Sequence, residues 1–227
     1  MQLAFLLFPG VTQLDLTGPV QFLSRLPGAR VDLVWDSLDP VPTDAGFSIL
    51  PTATFASMPR ADLICIPGGM GIAQVIDHDP ALDWVREVGS KAEWVTSVCT
   101  GALVLGAAGL LRGYQATTHW AWHDMLGLFG AEPVQARTVF DRNRVTGGGV
   151  TAGIDFALAL MARIADDDTA RAVQLALEYD PAPPFSAGNP DKAGAELVAV
   201  YTERANRLAP GRKDALIASA KRLGFTP

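Results

Sequence analysis

Two cysteines and three histidines in 227 residues are too few for a disulfide framework, and they show no metal-ligand spacing. Cys65 and Cys99 therefore point to free thiols in a reducing cytoplasm. Basic residues are also scarce: 18 Lys and Arg stand against 24 Asp and Glu, for a net charge of −6. No Lys/Arg cluster offsets that balance, which excludes an electrostatic nucleic-acid face. No apolar run is long enough to span a bilayer, and Met1 to Phe8 lacks the basic start and small-residue cleavage site of a leader. Long internal repeats are missing as well. What remains, 49% hydrophobic and 19% charged, is the composition of a globule with a full core.

Runs that are apolar on both faces alternate with helical stretches, the pattern of a parallel sheet covered on two sides. Strands are predicted over 3–8, 31–35, 61–66, 94–98 and 144–146. Helices are expected over 18–26, 71–77, 80–90, 100–109 and 120–129, with a long helical segment over 151–179. Asp166-Asp167-Asp168 breaks that segment and reads as a helix N-cap rather than a metal site. Ribbons are expected over 41–50 and 138–146. The proline-rich 180–185 must run extended, and helices follow over 193–208 and 212–223. Residues 1–190 are expected to form one α/β domain, with 191–227 a helical extension packed on it.

Chemistry concentrates in loops that follow three separate strands, which converge at the carboxyl edge of an open parallel sheet. Cys99 ends a β-branched run and begins an Ala/Leu-rich helix, with Gly101 two positions on, in the manner of a nucleophile elbow. Such a side chain is expected to stand exposed, its thiolate favoured by helix N–H groups and the helix dipole. The alternative is a buried cysteine packing a strand end. Asp15 lies between two leucines and is either a capping residue or a carboxyl beside the thiol with a raised pKa. Gly69, in Ile66-Pro67-Gly68-Gly69, is a candidate backbone donor to an anion, as is the N–H of Thr100; the glycines otherwise make only a turn. The Thr100 hydroxyl is placed to orient a water. His119 either joins the pocket or bonds locally, while His78 and His123 read as solvent-facing and Cys65 as core. Gly147-Gly148-Gly149 frees the turn before the long helical segment.

The acid loop Gln13-Leu14-Asp15-Leu16-Thr17-Gly18-Pro19, the turn at Pro67-Gly68-Gly69 and Ser97-Val98-Cys99-Thr100-Gly101 together resemble the ThiJ/PfpI superfamily. Ala116-Thr117-Thr118-His119-Trp120, Thr146-Gly147-Gly148-Gly149 and Leu177-Glu178-Tyr179 extend the likeness to its isocyanide hydratase branch. The resemblance implies a single flavodoxin-like domain, a three-layer sandwich like that of class I glutamine amidotransferases. It also implies conversion of isocyanides to N-formamides without cofactor or metal, in a homodimer. Its nucleophile carries over to Cys99, its acid/base to Asp15, and its backbone donors to Gly69 and Thr100. Protease- and deglycase-like branches carry His after the cysteine; Thr100 here argues against peptidase chemistry. Two other expectations stand beside it: a ligand-sensing half of an AraC-type regulator, and a cysteine-based stress protein or deglycase.

Overall fold

The computed structural model describes residues 1–225. Its eleven strands are β1 (Gln2–Leu6), β2 (Arg30–Trp35), β3 (Val41–Pro42), β4 (Ser48–Ile49), β5 (Ala53–Thr54), β6 (Leu63–Ile66), β7 (Trp94–Val98), β8 (Gln115–Ala116), β9 (Glu132–Pro133), β10 (Thr138–Asp141) and β11 (Arg144–Gly147). The α-helices are α1 (Gln13–Leu23), α2 (Ile72–Asp77), α3 (Asp79–Gly89), α4 (Gly101–Ala107), α5 (Ala152–Ile164), α6 (Asp167–Ala176), α7 (Pro190–Ala193), α8 (Ala195–Leu208) and α9 (Arg212–Arg222). A 3-10 helix covers Trp120–Phe129, where the sequence suggests an ordinary helix.

The main sheet runs β10-β11-β7-β6-β1-β2-β5, parallel throughout except for the edge hairpin of β10 and β11. All four residues of β6 are buried, as the two-sided apolar pattern demands. Helices α1, α5 and α6 pack together; α2, α3, α4, α9 and the 3-10 helix form the other group. The result is the three-layer α/β sandwich expected. Helix α4 is buried on every side, and Gly106 makes this possible: a Cβ there would lie 2.7 Å from that of Phe129.

The ribbons appear as β3–β4 and β10–β11, and the expected break falls before α6, where Asp166 caps the Thr169 N–H at 2.7 Å. Helix α1 departs from expectation. It starts at Gln13, not near Gly18, and carries Pro19 in its interior. A proline read as a helix start is here one whose missing N–H leaves the Asp15 carbonyl without its helical donor. Asp15 thus belongs to the first turn of a helix rather than to a loop. At the far end, α9 buries Leu216 and Ala220, whereas α8 buries nothing. Residues 226 and 227 of the expected extension lie outside the described residues. No helix among the described residues is long and apolar enough to cross a membrane.

Candidate active site

The chain after β7 turns at Cys99, whose φ is +57°. A non-glycine residue there is strained and has to be held by its surroundings. Its N–H donates to the carbonyls of Gly147 (3.0 Å) and Gly148 (2.8 Å), and its own carbonyl accepts from the Thr118 hydroxyl at 2.7 Å. Gly101 completes the bend, since a Cβ at that position would overlap the Ile66 carbonyl oxygen. This is the elbow that the sequence suggests.

The acid arrives from two strands away. Asp15 is fully buried, and its Oδ2 accepts the Gly68 N–H at 3.1 Å. Its Oδ1 accepts no hydrogen bond from a nitrogen or oxygen of the described residues. The carboxyl interacts with the Cys99 thiol beside it. A Cβ on Gly68 would sit 2.6 Å from both the nitrogen and the hydroxyl of Thr100, and 2.8 Å from Asp15 Oδ2. Only glycine lets β6 end between the acid and the elbow.

Electrostatics differ from expectation at the sulfur. Cys99 is buried, at 6% exposure, not raised into solvent. Burial and the Asp15 charge push its thiol well above the ordinary value, against the Thr100 N–H and hydroxyl, which pull it down. Burial likewise pushes Asp15 up to about 7, partly offset by the thiol and the Gly68 N–H. The two groups form one unit: a buried pair in which each charge opposes the other.

Thr100 links this pair to the glycine turn. Its Oγ1 accepts the Gly69 N–H at 3.1 Å, and its backbone N–H and hydroxyl both act on the Cys99 thiol to lower its pKa. The Gly69 donor expected to face an anion is therefore committed to Thr100 in this structure. Gly68, read from the sequence only as part of a turn, holds the acid instead. Thr118 and Gly148, which pin the elbow's backbone, were visible only as parts of longer motifs.

A cavity of about 610 Å³ opens next to this shell. Thr117, Thr118, His119, Trp120, Gln135 and Gly148 are among its walls, while neither Cys99 nor Asp15 lines it. His119 thus reaches a pocket as well as bonding locally: its Nδ1 accepts the Ala121 N–H at 3.2 Å. His78 and His123 are half-buried rather than solvent-facing. His78 sits 3.3 Å from Asp36 and against the Trp35 ring, and the turns of the 3-10 helix carry His123 inward. Cys65 is core, its thiol pushed up to about 12 by burial. Among the described residues no group of three His, Cys, Asp or Glu is placed to hold a metal.

The profile of the DJ-1/PfpI family matches residues 1–163. The chain belongs to the DJ-1/PfpI family. It is 53% identical over 213 residues to the isonitrile hydratase of Pseudomonas putida, covering 94% of this chain and 92% of that one. A crystal structure of a ThiJ/PfpI family protein from Pseudomonas syringae superposes with a TM-score of 0.91 at 44% identity, covering 99% of this chain and 90% of that chain. The HTH-type transcriptional regulator GbdR of Pseudomonas aeruginosa matches 71% of this family member at 29% identity, but only 46% of its own length is covered.

Proposed function

We propose that this protein hydrates isocyanides, R–N≡C, to N-formamides, R–NH–CHO, with Cys99 as nucleophile and Asp15 as proton carrier. The carrying observation is the buried Cys99–Asp15 pair, with the carboxyl raised to about 7, in a chain 53% identical to an isonitrile hydratase. The terminal isocyanide carbon is electrophilic, and a thiolate is a soft nucleophile suited to it. Asp15 takes the thiol proton as the sulfur–carbon bond forms, then hands it to that carbon, giving a thioimidate, R–N=CH–S–Cys99. Water, oriented by Asp15 and the Thr100 hydroxyl, adds to the same carbon. One of its protons passes through Asp15 to the nitrogen. The other returns to the Cys99–Asp15 pair as the carbon–sulfur bond breaks and the formyl C=O forms. Cys99 and Asp15 end as they began.

The raised carboxyl suits this task. A group near pH 7 can both accept and deliver a proton within one turnover. Thr100 keeps a donor on the sulfur while charge develops there, and Gly69 fixes the direction of that donor. The reading extends to a homodimer working in the cytoplasm, where the thiol stays reduced. Loss of the isocyanide infrared stretch, with mass detection of an adduct on Cys99, is the direct test. Wild type should consume an alkyl isocyanide and Cys99→Ala should not. Glyoxal consumption without isocyanide turnover would replace this reading with the deglycase one.

A further inference from the structure

The cavity beside the elbow contains a donor that none of the chemistry above uses. His119 caps the 3-10 helix, and its Nδ1 accepts the Ala121 N–H at 3.2 Å. A neutral imidazole that accepts at Nδ1 carries its proton on Nε2. Burial holds the ring's pKa below its ordinary value, so that neutral form is the one present at pH 7. Among the described residues Nε2 has no hydrogen-bond partner, although the ring lines the cavity.

The ring is also fixed in place. It lies against Trp120 at 5.6 Å and stacks on Tyr201 of α8 at 6.3 Å, centroid to centroid. Its Cδ2–Nε2 edge closes on Gly149, where a Cβ would come within 3.0 Å of Cδ2. His119 directly follows Thr118, whose hydroxyl holds the Cys99 carbonyl. The cavity's arginine, Arg137, is already ion-paired with Asp155, and Asp191 adds a negative charge at the wall. These surroundings suit an uncharged, oxygen-bearing group more than a carboxylate or a bare hydrocarbon.

We infer that this cavity seats the substituent R of the isocyanide, and that His119 Nε2–H donates to an uncharged oxygen acceptor on it. The inference rests on the isocyanide reading and narrows it to isocyanides whose substituent carries a carbonyl or similar oxygen. His119 is then a specificity residue, not a partner in bond making.

Matched substrates test it. Methyl isocyanoacetate places an ester carbonyl in R, and 2-methylbutyl isocyanide has the same heavy-atom skeleton without the oxygens. His119→Asn keeps a cap for the Ala121 N–H and deletes the Nε2 donor; His119→Gln restores a donor at similar reach. His119→Asn should lower kcat/KM for the ester by about three- to tenfold, the worth of one hydrogen bond between neutral groups. The hydrocarbon should change by less than about twofold, and Gln should recover most of the ester's loss. Equal losses for both substrates, or no loss for either, would overturn the assignment. Calorimetric binding of methyl N-formylglycinate and N-(2-methylbutyl)formamide to Cys99→Ala asks the same question without turnover. A preference for the ester that vanishes on adding His119→Asn supports the inference. Equal affinity refutes it. A wild type inert toward both isocyanides would instead break the hydratase reading, and the binding arm would still decide for His119.

Discussion

Cys65 lies in β6 and Cys99 just past the neighbouring β7, both buried and both with thiols pushed up by burial, yet only one is held at a strained turn beside a carboxyl. Cys65 sits inside β6 in extended pairing opposite Thr96, and Asp15 acts on its thiol only through its charge. Cys99 lies one residue past the end of β7, at φ +57°, with a carboxyl, a hydroxyl and a backbone N–H gathered on its sulfur. Burial therefore does not separate a structural thiol from the proposed nucleophile. Backbone strain together with a proton partner does.

The sharpest way to break this contrast is to delete each sulfur. Cys99→Ala should reduce isocyanide consumption to the uncatalysed rate, while Cys65→Ala should keep kcat/KM within about twofold; comparable losses in both would erase the distinction. Next in size is the partner. Asp15→Asn should cost about 10²–10⁴ in kcat/KM while circular dichroism stays native, and a rate near wild type would remove the carboxyl from the chemistry.

The pair also sets the pH response. In the proposed mechanism the competent state holds one proton between Asp15 and Cys99, and a second proton binds as pH falls through about 7. Accordingly kcat/KM should fall about tenfold per unit below that pH and be flat above it. A rate that instead declines as pH rises through 7 would mean the fully protonated pair is the active one.

Stability follows with its own sign. A carboxyl raised by burial binds its proton more tightly folded than unfolded, so folding is helped below the unfolded value of 3.8 and loses that help as pH rises through about 7. Asp15→Asn, which never ionises, should therefore stabilise the protein by up to about 4 kcal/mol at pH 8 and by little at pH 4, read from urea midpoints. Smallest of all, Cys65→Ala should lower stability by about 1–2 kcal/mol through lost packing in β6.

Much of this was legible in the sequence. Two-sided apolar runs gave away the parallel strands, and the strand-to-helix switch at Cys99 with Gly101 behind it marked the elbow. Asp15 was legible as an acid trapped between leucines, though not as a helical residue, because Pro19 reads as a beginning rather than an interior position. The role of Gly68 was hidden, since a glycine that makes a turn and one that lets two chains approach leave the same letter. The thiol's charge was misjudged for a related reason. Local N–H groups are written beside the cysteine, whereas Asp15, whose charge opposes the thiolate, and Thr118, Gly147 and Gly148, which hold the elbow's backbone, come from distant segments. Short strands such as β8 and β9, two residues each, carry no periodicity to read.

The order β11-β7-β6-β1 has a kinetic corollary. Each of these four strands delivers one part of the centre, and neighbours in the sheet are separated by long stretches of chain. Pairings of that kind form late, because the intervening loops must be closed before contacts repay the lost entropy. Regained turnover during refolding would thus report a completed sheet, and a collapsed intermediate rich in helix would remain inert.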